Sequence, residues 1–150
     1  ALAIAPGPVT YLTAAPGGTA GRINLAWAAP GDDVYTNNLA SGWFRIQYST
    51  NTDANPAAGG WSKDNYNHAI TTSNVNQGTT QYQTITGLTE GSTYYFRIWT
   101  ADERANWSTM NTYGATTWAM AIAPGPVTYL AAAQGANARA SACRVGRWAS

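Results

Sequence analysis

The chain has 150 residues, enough for one domain with an ordinary core. Only 10% of its residues are charged, the formal net charge is +1, and Lys63 is the single lysine. No basic patch of the kind that tracks a phosphate backbone is present, which argues against nucleic acid as a partner, and no apolar run approaches the roughly 20 residues of a membrane span.

In chain order, residues 1–7 read as a linker, since Pro6 and Pro8 flank Gly7 and exclude a helix. A short first strand is expected at 9–12, followed by turns at Pro16, Gly17, Gly18 and Gly21. Residues 23–27 alternate at period two, which puts Ile23, Leu25 and Trp27 on one buried face. Pro30 to Asp33 opens a turn-rich loop, and 44–48 alternate again with Phe44, Ile46 and Tyr48 inward and Arg45 and Gln47 outward. Residues 50–76 form a polar stretch too long for one loop, so an extra strand is expected near 61–69. Further strands are expected at 82–85, at 93–100 and within 111–117. In 93–100, Tyr94, Phe96 and Ile98 point one way and Tyr95, Arg97 and Trp99 the other. Six or seven short strands between turn signals, with no helical periodicity, predict an all-β fold: an antiparallel sandwich of two sheets.

One feature cuts across this order. Residues 3–12 and 121–130 are the same decapeptide, Ala-Ile-Ala-Pro-Gly-Pro-Val-Thr-Tyr-Leu, and 1–15 differ from 119–133 only at Leu2/Met120 and Thr13/Ala131. Such repetition marks a structural unit and the opening of a second one. The expected organisation is a linker at 1–7, a sandwich at 8–118, a second copy of linker and first strand at 119–133, and a basic tail at 134–150. That tail carries Arg139, Arg144 and Arg147, no acid, and Cys143, the one cysteine. Its abrupt shift to Ala, Arg and Gly fits either a genuine basic tail or a reading-frame slip. Ala1 in place of a Met points to processing or to excision from something longer.

The run Leu88-Thr-Glu-Gly-Ser-Thr-Tyr94-Tyr-Phe96-Arg-Ile98 resembles the signature of a fibronectin type III domain. In that family a Leu between the fifth and sixth strands precedes a Gly and a corner tyrosine, here Tyr94, whose hydroxyl bonds back to the preceding loop. Trp27 matches the buried Trp of the family's second strand, and Tyr48 its inward aromatic late in the third. Pro8 to Leu12 and Ala29 to Asp33 are similar to the first strand and the second loop of bacterial members. The likeness covers about 6–117, departs from the family over 50–80, and implies an immunoglobulin-like sandwich that serves as spacer, binding module or assembly unit. The second copy then resembles the first strand of a following domain.

No catalytic constellation emerges, so no enzyme and no cofactor are expected. His68 is the single histidine, without the second His or nearby Cys that a metal site needs. The carboxylate pairs Asp32-Asp33 and Asp102-Glu103 lack calcium-loop spacing and are expected in loops at different positions around the sandwich ends. Arg45, Tyr95, Arg97 and Trp99 should share an outward face, either as a contact face or as a locally stabilising cation–π ladder. Asn106-Trp-Ser108 is a glycosylation triplet. The function expected is a structural protein at or outside the cell surface, a filament or surface-layer subunit that binds copies of itself head to tail. The assembly residues would be Ala121, Ile122, Pro124, Val127, Tyr129 and Leu130. The alternative is an adhesive, glycan-binding or spacer module from a tandem array in a larger secreted protein.

Overall fold

The computed structural model describes residues 4–53 and 60–131, so the expected basic tail and Cys143 lie outside the described residues. Among the described residues, seven strands make two antiparallel sheets packed face to face. They are β1 (Leu12–Pro16), β2 (Ile23–Ala28), β3 (Leu39–Ser49), β4 (His68–Val75), β5 (Thr80–Ile85), β6 (Thr93–Ala101) and β7 (Ala115–Trp118). One sheet has the order β1-β2-β5 and the other β4-β3-β6-β7.

Period-two alternation sets this arrangement, because one face of each sheet must be dry. Ile23, Leu25 and Trp27 from one sheet meet Phe44, Ile46, Phe96 and Ile98 from the other, all in one core cluster. Trp27 packs edge-on to Phe44, with ring centroids 5.3 Å apart and planes at 73°. Tyr48 fills the far end, 5.9 Å from the Tyr94 ring and 5.7 Å from Phe96. Burial and the neighbouring Tyr94 push the Tyr48 hydroxyl above its usual range. The Tyr94 hydroxyl accepts the Thr89 N–H at 3.0 Å, which ties the β5–β6 loop to β6.

Several boundaries differ from the sequence reading; β3 starts at Leu39, ahead of the expected 44–48, and β7 runs on to Trp118. The extra strand is β4 at His68–Val75, starting where the expected window of 61–69 ends. The first ladder begins at Leu12 instead of Val9, although Val9 is buried. Residues 6 and 7, expected in a linker, are buried against the loop between β2 and β3. The last difference shapes the candidate site.

Candidate assembly site

The first copy of the decapeptide occupies a seat. The Val34 N–H donates to the Ala5 carbonyl at 3.0 Å, and the Gly7 N–H donates to the Val34 carbonyl at 2.6 Å. Together these form a parallel bridge centred on Pro6 and Val34. Such a bridge uses the residues on either side of Pro6, so the donor that proline lacks is not missed. Gly7 is required by contact: a Cβ there would lie 2.2 Å from the Val34 carbonyl oxygen and 2.7 Å from Cε1 of Tyr35. Val9 and Leu12 complete the docking, 1% and 7% exposed, whereas Ile4 and Tyr11 stay 55% and 75% exposed. Burying a Val and a Leu side chain is worth roughly 1.5–3 kcal/mol each.

The receiving loop is folded on itself. Asp33 and Thr36 exchange backbone bonds of 3.1 and 3.0 Å, and the Asn37 amide donates to the Asp33 carboxylate at 2.7 Å. Gly31 packs so closely on Thr36 that a Cβ would meet its carbonyl oxygen at 2.2 Å. Val34 sits at φ 59°, a left-handed conformation that a β-branched residue adopts only under constraint. The bonds to Ala5 and Gly7 supply part of that constraint.

The second copy is held only at its root. The Ala119 N–H donates to Ser92, Gly91 donates to Ala119, Gly21 donates to Met120, and Met120 donates to Arg22. From residue 121 to residue 131 every residue is exposed and no strand forms. Val127 and Leu130, counterparts of Val9 and Leu12, are 80% and 89% exposed. Around Gly125, the counterpart of Gly7, a Cβ would meet nothing within 4 Å. Of the six expected assembly residues, Pro124, Val127 and Leu130 match positions that the seat buries in the first copy. Ile122 and Tyr129 match the exposed Ile4 and Tyr11, and the counterpart of Ala121, residue 3, lies outside the described residues. Sequence reasoning missed Gly125; the signal was the Gly between two prolines, but its need for space appears only in the packed first copy.

The two copies sit at opposite poles. Met120 is bonded beside the turn that precedes β2, and the seat lies in the loop that follows β2. The six residues of β2 span about 20 Å. To bridge its own Val34 as Pro6 does, Pro124 would have to cover that distance with four residues, which reach at most about 14 Å. The second copy therefore cannot occupy the seat of its own sandwich.

The outward face of the four-stranded sheet has a different character. Arg45 faces Trp99 across the strands, and Gln47 faces Arg97. The Arg45 guanidinium lies 4.4 Å from the centres of both the Tyr66 and Trp107 rings, donates to the Lys63 carbonyl at 3.2 Å and pairs with Asp64 at 3.4 Å. Gln47 clamps the same covering segment, donating to Gly60 at 3.0 Å and accepting from Ser62 at 2.7 Å. Arg97 reaches the Trp61 ring at 5.8 Å, and the Trp61 indole donates to Thr52 at 2.8 Å. Trp99 is buried and Tyr95 half-buried. Residues 60–67 thus cover the ladder, which favours its reading as local stabilisation. Lys63 first and Arg45 next hold the exposed Asp64 carboxyl below its ordinary range.

The carboxylate pairs, expected in loops at different positions, lie near enough for Asp102 and Glu103 to act on Asp32 through their charge. Burial first, then Glu103, Asp102 and Asp33, raise the Asp32 carboxyl above its ordinary value. Asp102 is fully employed: it accepts from the Arg104 and Asn106 N–H groups at 2.9 and 2.8 Å and from the Asn106 side-chain amide at 2.6 Å. The last bond engages the nitrogen that glycosylation of Asn106 would need. Among the described residues, no group of three or more His, Cys, Asp or Glu is arranged to hold a metal ion. Because folding raises the Asp32 pKa, its charge penalises the fold above that pKa, and the penalty vanishes as pH falls well below 3.8. Asp32→Asn is therefore expected to raise the melting temperature at pH 7 and leave it unchanged in acid. Melting curves at both pH values check this.

No family model and no curated protein matches the chain. Among solved structures it is similar to titin kinase with its flanking domains, at 14% identity over 78% of this chain and 18% of that one, with a TM-score of 0.45. It is also similar to a family 76 glycoside hydrolase from a bovine Bacteroides thetaiotaomicron strain, at 15% identity and a TM-score of 0.49 over 75% of this chain and 20% of that one. The chain spans about a fifth of the length of these structures.

Proposed function

We propose that this protein is a non-enzymatic structural unit of the fibronectin type III kind that joins copies of itself head to tail through residues 121–130, at or outside the cell surface. One observation carries the reading. Pro6, Gly7, Val9 and Leu12 are buried in the first copy, whereas their counterparts Pro124, Gly125, Val127 and Leu130 are exposed, at the opposite pole of the sandwich. A contact between unlike poles is head to tail, and it builds a line of subunits wherever its rotation does not close a ring. An exposed extended segment can add to the sheet of another copy, a form of strand addition.

The family assignment is supported by the three-plus-four strand order, the Tyr94 corner bond and the buried Trp27. Assembly is expected to be insensitive to salt, since residues 119–138 carry no charge. The alternative of a module in a tandem array draws on the same observation, with the second copy seated in a following sandwich of the same chain.

Sedimentation and electron microscopy of the intact chain and of a chain lacking residues 121–150 test the proposal. Concentration-dependent linear oligomers are expected from the intact chain and none from the shortened one. Intact chains that stay monomeric up to millimolar concentration, or shortened chains that still assemble, would overturn it.

A further inference from the structure

Resting on that head-to-tail reading, we infer that the acceptor is the seat of the first copy itself, which a neighbour's second copy occupies by displacing residues 4–12. Among the described residues, the seat is the surface that binds the decapeptide, and it selects by shape. It takes up Pro6, Gly7, Val9 and Leu12 and bonds the backbone on both sides of Pro6. Residues 121–130 present the same groups unpaired and exposed. Their own sandwich is beyond reach, because four residues cannot span the length of β2. A second copy of this chain has the same seat, and its Val34 loop needs the same two backbone partners.

The exchange trades like for like, so contacts alone do not drive it. The first copy is tethered to its seat at an effective concentration on the order of millimolar. In dilute solution it keeps its place, and the neighbour's copy competes when the chain itself approaches that concentration. Displacement from within is what sets the threshold. Weakening the first copy alone should lower that threshold, and weakening the second alone should abolish assembly.

Two glycines allow this to be done separately. Gly7→Val places a Cβ 2.2 Å from the Val34 carbonyl oxygen and expels the first copy from its seat. Gly125→Val meets nothing within 4 Å in the free chain, so it leaves the fold and its melting temperature unchanged. In a neighbour's seat, however, residue 125 would take the place of Gly7 and meet the same oxygen. Light scattering and sedimentation over micromolar to millimolar concentration give the readout.

The inference predicts no assembly from Gly125→Val at any concentration. It also predicts assembly of Gly7→Val at a threshold at least about tenfold below that of the unaltered chain, and none from the double variant. Gly125→Val assembling like the unaltered chain would overturn the exchange while leaving the head-to-tail reading standing on another surface. If the unaltered chain is monomeric throughout, the reading falls and the inference falls with it. Should Gly7→Val not fold, Gly125→Val decides the matter alone.

Discussion

Replacing Trp27 by alanine is expected to lower the stability of the sandwich by about 3–5 kcal/mol, the usual cost of deleting a large buried ring. The side chain is 2% exposed and stands edge-on to Phe44, so it joins the two sheets near the middle of the core. Against a total stability of roughly 5–15 kcal/mol, this loss is a large share. Melting should fall by about 10–20 °C. The indole N–H is buried without a hydrogen-bond partner, so Trp27→Phe removes ring volume but no polar contact. It should cost about 1–2 kcal/mol. Thermal denaturation of both variants separates these effects, and equal losses would contradict a packing origin.

Arg45→Ala should cost about 2–3 kcal/mol, far more than the ±0.5 kcal/mol of an ordinary surface substitution. Its guanidinium is stacked between Tyr66 and Trp107 and bonded to the Lys63 carbonyl, so several groups lose a partner at once. The exposed Asp64 contributes little to this. Arg45→Lys should recover only a small part, because an ammonium lacks the flat faces that stack on both rings. Residues 60–67 lose a fastening in either variant, so trypsin should cut after Lys63 faster than in the unaltered protein. Unchanged melting and unchanged cleavage would show that the segment is held by other means.

The strands that carry the core were legible because their alternation is strict and one face is dry. Ile23, Leu25 and Trp27 lie inward as expected, and so do Phe44 and Ile46 and the set Tyr94, Phe96 and Ile98. β4 starts later than expected because the length of a polar stretch predicts a strand without locating it, and Trp61 and Tyr66 are not part of it. They instead lie over the outer face of β3 and β6, held by Arg45 and Arg97 from far along the chain. The action of Asp102 and Glu103 on Asp32 was hidden for the same reason, since only the folded loops bring them near. The decapeptide marks the limit of what local sequence conveys. Its two copies are identical letter for letter, and whether Val and Leu are buried depends on what stands beside them.

Amide hydrogen exchange at Gly125, followed as the protein concentration rises, tests the central claim most directly. In the free chain the Gly7 N–H is bonded to Val34 and should be protected, whereas residue 125 is exposed and its N–H should exchange at the rate of an open chain. Gly125 is expected to acquire protection like that of Gly7 in step with the appearance of heavier species. A Gly125 amide that stays unprotected while the protein assembles would contradict the exchange.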